Sequence, residues 1–124
     1  MAKVKKNPER ENRIMEEIIV DAYGPEEQAM GWYYYLKDTL YFPFTATCIA
    51  ERAITPLRKG DEVEVLNMAP EEECRHEMFV MIRWERRQGL AVPLSLLRPI
   101  TDADEDTIEA VEDWHYWIAQ GYVL

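Results

Sequence analysis

The side chains in this sequence with the clearest chemical capacity are carboxylates, and the most suggestive group of them lies near its end. The run Asp102-Ala103-Asp104-Glu105-Asp106-Thr107-Ile108-Glu109-Ala110-Val111-Glu112-Asp113 places acids at its first, third, fifth and twelfth positions. A helix-loop-helix calcium loop supplies oxygen ligands from those positions to an ion that wants six to eight of them. Two residues break the pattern. Thr107 occupies the sixth position, where glycine makes the sharp turn, and Asp113 occupies the twelfth, where a longer Glu reaches in with both oxygens. Two readings remain: a helix N-terminus loaded with acids that suit its dipole, or a non-standard oxygen site using Asp102, Asp104, Asp106 or Asp113.

Two further segments could add oxygens. Glu71-Glu72-Glu73 follows Ala69-Pro70 and reads as a solvated, charged loop. Three adjacent carboxylates repel one another, however, and a bound divalent ion would relieve that repulsion. Asp38 stands near the end of a helix, beside backbone carbonyls around Thr39, Leu40 and Tyr41 that lack intrahelical partners. A carboxylate there opposes the helix dipole. Either Lys37 or a hard cation would compensate it, and such cations select oxygen-rich corners. Zinc chemistry is disfavoured, because Cys48, Cys74, His76 and His115 lack the paired spacing of structural sites. No phosphate-binding glycine loop, nucleophile elbow or metalloprotease motif appears, so an enzyme is not expected. The acid pairs Glu16/Glu17 and Glu26/Glu27 read as solubilising.

The whole chain fits this emphasis. It has 124 residues, 48% of them hydrophobic, enough for a real core in a domain-sized chain. Acids outnumber bases 24 to 14, a net charge of −10. That balance excludes nucleic acid and anionic membrane surfaces as main partners, since both demand a surplus of Lys and Arg. Cations and basic protein partners remain. The acidity is concentrated in residues 14–43, 70–77 and 101–124, the last holding seven acids and no Lys or Arg. No run reaches the roughly 20 apolar residues of a membrane span. The basic opening is followed by Glu9 and Glu11 and not by an apolar block, so a cytoplasmic protein with two free thiols is expected.

The elements that must position these groups are legible in outline. Asn7-Pro8-Glu9 reads as a helix start, and the stripe Ile14, Ile18, Ile19, Ala22 extends that helix over about residues 8–23. Pro25-Glu26-Glu27 opens a second helix over 25–40, with Ala29, Trp32, Tyr33, Leu36 and Leu40 on its buried side, and Phe42-Pro43 must end it. Short β-rich runs at 45–50, 60–66, 78–84 and 90–92, a tight turn at Gln88-Gly89 and a 3₁₀ turn at 93–97 suggest a small SH3-like barrel over about 45–100. Ile108, Val111, His115, Ile118 and Tyr122, with Trp114 and Trp117, mark a closing helix over 104–119. The expectation is a single α+β domain. Its Trp and Tyr cluster forms either the core or, in an adaptor, an aromatic groove for a basic or Pro-rich segment of another protein.

Several motifs together resemble a known family. Met15-Glu16-Glu17-Ile18-Ile19-Val20-Asp21-Ala22-Tyr23, Gly31-Trp32-Tyr33-Tyr34-Tyr35-Leu36 with Phe42-Pro43-Phe44, Gly60-Asp61-Glu62-Val63 through Met68-Ala69-Pro70, Met78-Phe79-Val80, Ala91-Val92-Pro93-Leu94-Ser95 and Asp113-Trp114-His115-Tyr116-Trp117 are similar, in this order, to the small cyanobacterial calcium-binding proteins and their bacterial and plant relatives. The resemblance covers about residues 8–118. It implies a cytosolic protein that binds Ca2+ without EF-hands and lowers the free ion, a role tied in filamentous members to heterocyst differentiation. It also places the stronger site around Asp38. Glu71 to Glu73 depart from the mixed Asp/Glu usage of that family's loop. The expected assembly is thus Asp38 with carbonyls of Thr39 to Tyr41 and a carboxylate from Glu71, Glu72 or Glu73. A weaker site would draw on Asp102, Asp104, Asp106 or Asp113.

Overall fold

A computed structural model of the protein describes residues 6–20 and 22–121. Helix α1 covers Pro8–Arg13, with the Asn7 side chain accepting from the Arg10 N–H and Pro8 at the first helical position. The helix then widens into a π turn, Ile14–Ile18, in which the Ile19 N–H reaches the Ile14 carbonyl. The expected helix thus ends well before residue 23. The β-branched run Ile18-Ile19-Val20 is a poor helix former, and the wider turn lets Ile14, Ile18 and Ile19 all reach the core. Asp21 of the family-like motif and Tyr122 of the closing stripe lie outside the described residues.

Helix α2, Pro25–Thr39, buries Ala29, Trp32, Tyr33 and Leu36. Five strands follow: β1 (Phe44–Cys48), β2 (Glu62–Met68), β3 (Phe79–Trp84), β4 (Arg87–Pro93) and β5 (Leu97–Pro99). Short 3₁₀ turns, Glu71–Cys74 and Leu94–Leu96, interrupt them. Helix α3, Glu105–Ala119, closes the described chain. The sheet is antiparallel with order β4-β3-β2-β1-β5. β4 and β5 stand at its two edges with no ladder between them, so the expected barrel is an open sheet among the described residues. A second correction concerns the β3–β4 hairpin. Trp84 pairs with Arg87, which puts the turn at Glu85-Arg86, with Glu85 at φ 52°. Gly89 lies inside β4 instead. A Cβ there would sit 2.8 Å from the Met81 methyl, so the glycine serves close packing and not a turn.

The core lies where α2, α3 and the π turn meet the sheet. Trp32 packs edge-on against Trp114 at 5.1 Å and tilted against Trp117 at 5.9 Å, all three buried. The tryptophans of the aromatic cluster are therefore core, whereas Tyr34 stays at the surface. Ile118 is likewise left at the surface. Cys48 and Cys74 are buried free thiols. Among the described residues no helix is long and apolar enough to cross a membrane.

Candidate metal centre

Two acidic clefts flank the end of α2, and their walls follow from how that helix stops. Leu40 is extended, at φ −68° and ψ 129°, and its N–H makes the last helical bond, to the Leu36 carbonyl. The next N–H, of Tyr41, donates to the buried Thr107 hydroxyl at 2.8 Å. Pro43 has no N–H to return. The carbonyls of the final turn, Lys37 to Leu40, are thus left without intrahelical donors. Thr107 belongs to the first turn of α3, capped by Asp104, whose Oδ2 accepts from the Asp106 and Thr107 N–H groups at 3.1 and 3.3 Å. One threonine therefore ties the end of α2 to the start of α3, across 66 residues of sequence.

That tie creates the first cleft, about 280 Å³ in volume. Tyr41, Thr45, Glu64, Asp102 and Asp104 line it, with Pro43, Phe44 and Ile100 as apolar walls. Three carboxylates from β2 and the β5–α3 loop face it. Glu64 Oε1 accepts from Arg83 Nε and Nη2 at 3.3 and 3.2 Å, while Asp102 and Asp104 make no ion pair among the described residues. Asp106 is exposed on the neighbouring helical turn and does not line the cleft.

The second cleft, about 410 Å³, lies against the last turns of α2, lined by Glu17, Tyr34, Tyr35, Asp38 and Thr39. Its far wall is the π turn, held unusually close. A Cβ on Gly31 would lie 2.5 Å from the Ile18 carbonyl oxygen, so only glycine lets the two backbones approach this far. Asp38 is exposed and makes no ion pair among the described residues. Lys37 does not neutralise it; its ammonium sits over the Tyr33 ring, 5.9 Å from the centroid.

The other expected residues lie elsewhere. Glu71, Glu72 and Glu73 form an exposed 3₁₀ turn. Glu71 accepts from the Tyr34 hydroxyl at 3.1 Å, and Glu71 and Glu72 line a third cleft with Glu26, Met30 and Arg75. They neighbour the Asp38 cleft without lining it. Asp113 is fully buried. Its Oδ1 accepts from Arg10 Nη1 at 2.8 Å and Arg13 Nη2 at 2.6 Å, and its Oδ2 from Arg13 Nε at 3.2 Å. Hydrogen bonding to Asp113 raises the pKa of the Arg13 guanidinium further. Both Asp113 oxygens are thus committed to cations already in the fold.

Cys48, Cys74 and His115 are likewise committed, to the carbonyls of Ala50, Phe79 and Leu97. His115 Nε2 donates to the Leu97 carbonyl at 2.8 Å, and burial lowers its pKa, which keeps the ring neutral. Burial raises the pKa of the Cys74 thiol. Among the described residues no three side chains of His, Cys, Asp and Glu converge closely enough to hold an ion alone. An ion in either cleft must therefore add backbone carbonyls and water to its carboxylates. A hard cation accepts that donor set and a thiophilic one does not. Glu17, Glu64 and Thr107 carried no separate signal in the sequence. Glu64 stands in an alternating strand, and Thr107 only marked a failed loop motif.

Comparison with known proteins agrees with this chemistry. A family model described as calcium binding, Calci_bind_CcbP, matches residues 12–118. The crystal structure of Anabaena CcbP is 47% identical over 98% of both chains, with a TM-score of 0.85. A calcium binding protein in the calcium-binding form is 46% identical, again over 98% of both chains, with a TM-score of 0.84. No curated protein matches the chain.

Proposed function

Because this chain belongs to the CcbP calcium-binding family, we propose that it binds Ca2+ at the two clefts flanking the end of α2, acting as one calcium-binding domain. In the first, Asp102 and Asp104 provide the carboxylates, and Glu64 opposite, held by Arg83, adds to the acidic wall. In the second, Asp38 is the anchor, with Glu17 across from it. The carbonyls of Thr39, Leu40 and Tyr41 lie between the two and supply neutral oxygens. Asp106, Glu71, Glu72 and Glu73 strengthen the negative field around the sites. Asp113 is left out, since Arg10 and Arg13 already occupy its oxygens.

The observation that carries this reading is the pair of clefts near the end of α2, in which Asp38, Asp102 and Asp104 make no ion pair among the described residues. A charge of −10 adds a diffuse attraction for any cation, which salt screens while coordinated ions stay bound. In this role the protein lowers free Ca2+ in the cytoplasm and so shapes calcium signals, including those that the family resemblance links to heterocyst differentiation. Calorimetry at about 0.15 M salt tests it. Saturable Ca2+ binding that falls at least ~10-fold in Asp38→Asn, a loss of about 1.4 kcal/mol, is expected. No saturable binding, or binding unchanged in both Asp38→Asn and Asp102→Asn, contradicts it.

A further inference from the structure

Along α2, Glu26, Met30, Tyr34 and Asp38 recur every fourth residue, so their side chains form one row. It lies away from the buried Ala29, Trp32, Tyr33 and Leu36. The row joins two clefts. Glu26 and Met30 face Glu71, Glu72 and Arg75 across a space of about 400 Å³. Met30, Tyr34 and Asp38 face Glu17 across the neighbouring 410 Å³ cleft. The result is a continuous groove with an apolar centre and an acidic rim.

Its centre is held in place. Tyr34 is 47% exposed, a large apolar side chain at the surface. Yet its hydroxyl donates to Glu71 at 3.1 Å and its ring packs edge-on against Tyr33 at 5.4 Å. An aromatic ring already fixed in position loses little freedom when covered, which suits it as an anchor. Met30 beside it is flexible and polarizable, and adapts to varied apolar partners. The rim carries Glu17, Glu26, Asp38, Glu71 and Glu72 against the single base Arg75. The row spans about 18 Å, near three turns of a helix.

We propose that this face of α2 docks a basic amphipathic segment of another protein, its apolar side on Met30 and Tyr34 and its Lys and Arg on the surrounding carboxylates. The charge complementarity selects the occupant: an acidic rim repels nucleic acid and anionic lipid, and one exposed aromatic does not make the ring-lined channel a Pro-rich segment needs. The surface goes beyond Ca2+ binding and stands without it.

The test is titration of the full chain in EDTA at about 0.15 M salt with a Lys/Leu amphipathic helical peptide of about 14 residues. A shuffled peptide of the same composition and charge serves as control. The amphipathic peptide is expected to bind at least ~10-fold more tightly than the shuffled one. Tyr34→Ser should weaken it about 10-fold without moving the thermal midpoint by more than a degree or two. Tyr34→Phe, which keeps the ring and loses only the tie to Glu71, should retain most of the affinity. Amide shifts should map to residues 26–38 and 71–75. Equal affinity for the two peptides, no loss in Tyr34→Ser, or shifts confined to residues 102–106 would overturn the proposal. So would Tyr34-dependent self-association of the free protein, which would make a second copy the occupant.

Discussion

The start and the middle of α3 treat the same side chain in opposite ways. At Asp113 a carboxylate is fully buried, with two guanidinium groups from α1 filling both its oxygens. About two and a half turns earlier Asp104, with Asp102 beside it, lies exposed on a cleft, and neither makes an ion pair among the described residues. The difference lies in what packs nearby. α1 crosses the later half of α3 and brings Arg10 and Arg13 with it. The α2–β1 turn meets the first turn of α3 through Thr107 and brings carbonyls and a tyrosine but no cation. A carboxylate whose counter-charge is folded in ties the structure together. One left without it is free to take a cation from solution.

The contrast breaks most sharply at its buried end. Asp113→Ala leaves a hole and takes from Arg10 and Arg13 their buried partner, leaving only the longer contacts to Glu112 and Glu109, and should cost about 3 kcal/mol, read from urea unfolding. Ca2+ affinity at the far end should change little in protein that still folds. Next in size is Ca2+ itself: at about 100 times the dissociation constant, binding to the folded state alone should add about 2.7 kcal/mol, seen as a raised thermal midpoint. Asp38→Asn should reduce that gain. Thr107→Val should cost about 1–3 kcal/mol by leaving the Tyr41 N–H without an acceptor, and should also weaken Ca2+ binding by shifting the end of α2. Thr107→Ser, which keeps the hydroxyl, should restore both.

A smaller effect comes with pH. Burial lowers the folded-state pKa of His115 below its ordinary 6.5, so the unfolded chain takes up the proton first. The stability this neutral ring contributes is full above about pH 6.5, and declines as pH falls toward the folded pKa. His115→Gln should flatten the dependence of stability on pH over that window. The smallest stability change belongs to the open end. Asp104→Asn keeps the helix cap, since Asn caps as well as Asp, and should move stability by under ~0.5 kcal/mol while weakening Ca2+ binding. A large loss of stability with unchanged binding would make Asp104 a cap and nothing more.

The sequence was informative wherever one residue or a short period decides the outcome. Asn7-Pro8 starts α1, Phe42-Pro43 follows the end of α2, and the acid-rich run at 102–106 holds the start of α3, because caps, prolines and first-turn acids act locally. The stripe of α2 is buried as its spacing requires. Gly89 misled because a glycine that makes room for Met81 looks, in sequence, like one that makes a turn. The SH3-like barrel misled because strand runs carry no signal for whether the last ladder closes. For the site, the residue types were legible and their company was not. Asp113 and Asp104 lie in one acidic run, and nothing within that run says that Arg10 and Arg13 return to one of them from about 100 residues away. Nor does it say that Thr107, the residue that spoils a calcium-loop pattern, holds the Tyr41 backbone beside the acids.

The account depends on cations settling where carboxylates lack a folded-in partner. Diffraction from crystals soaked in Ca2+, with the ion located by its anomalous signal, tests this most directly. The predicted result is density in the clefts at Asp38 and at Asp102 and Asp104, with none at Asp113. Density only at the Glu71–Glu73 turn, or none in either cleft at saturating Ca2+, would contradict it.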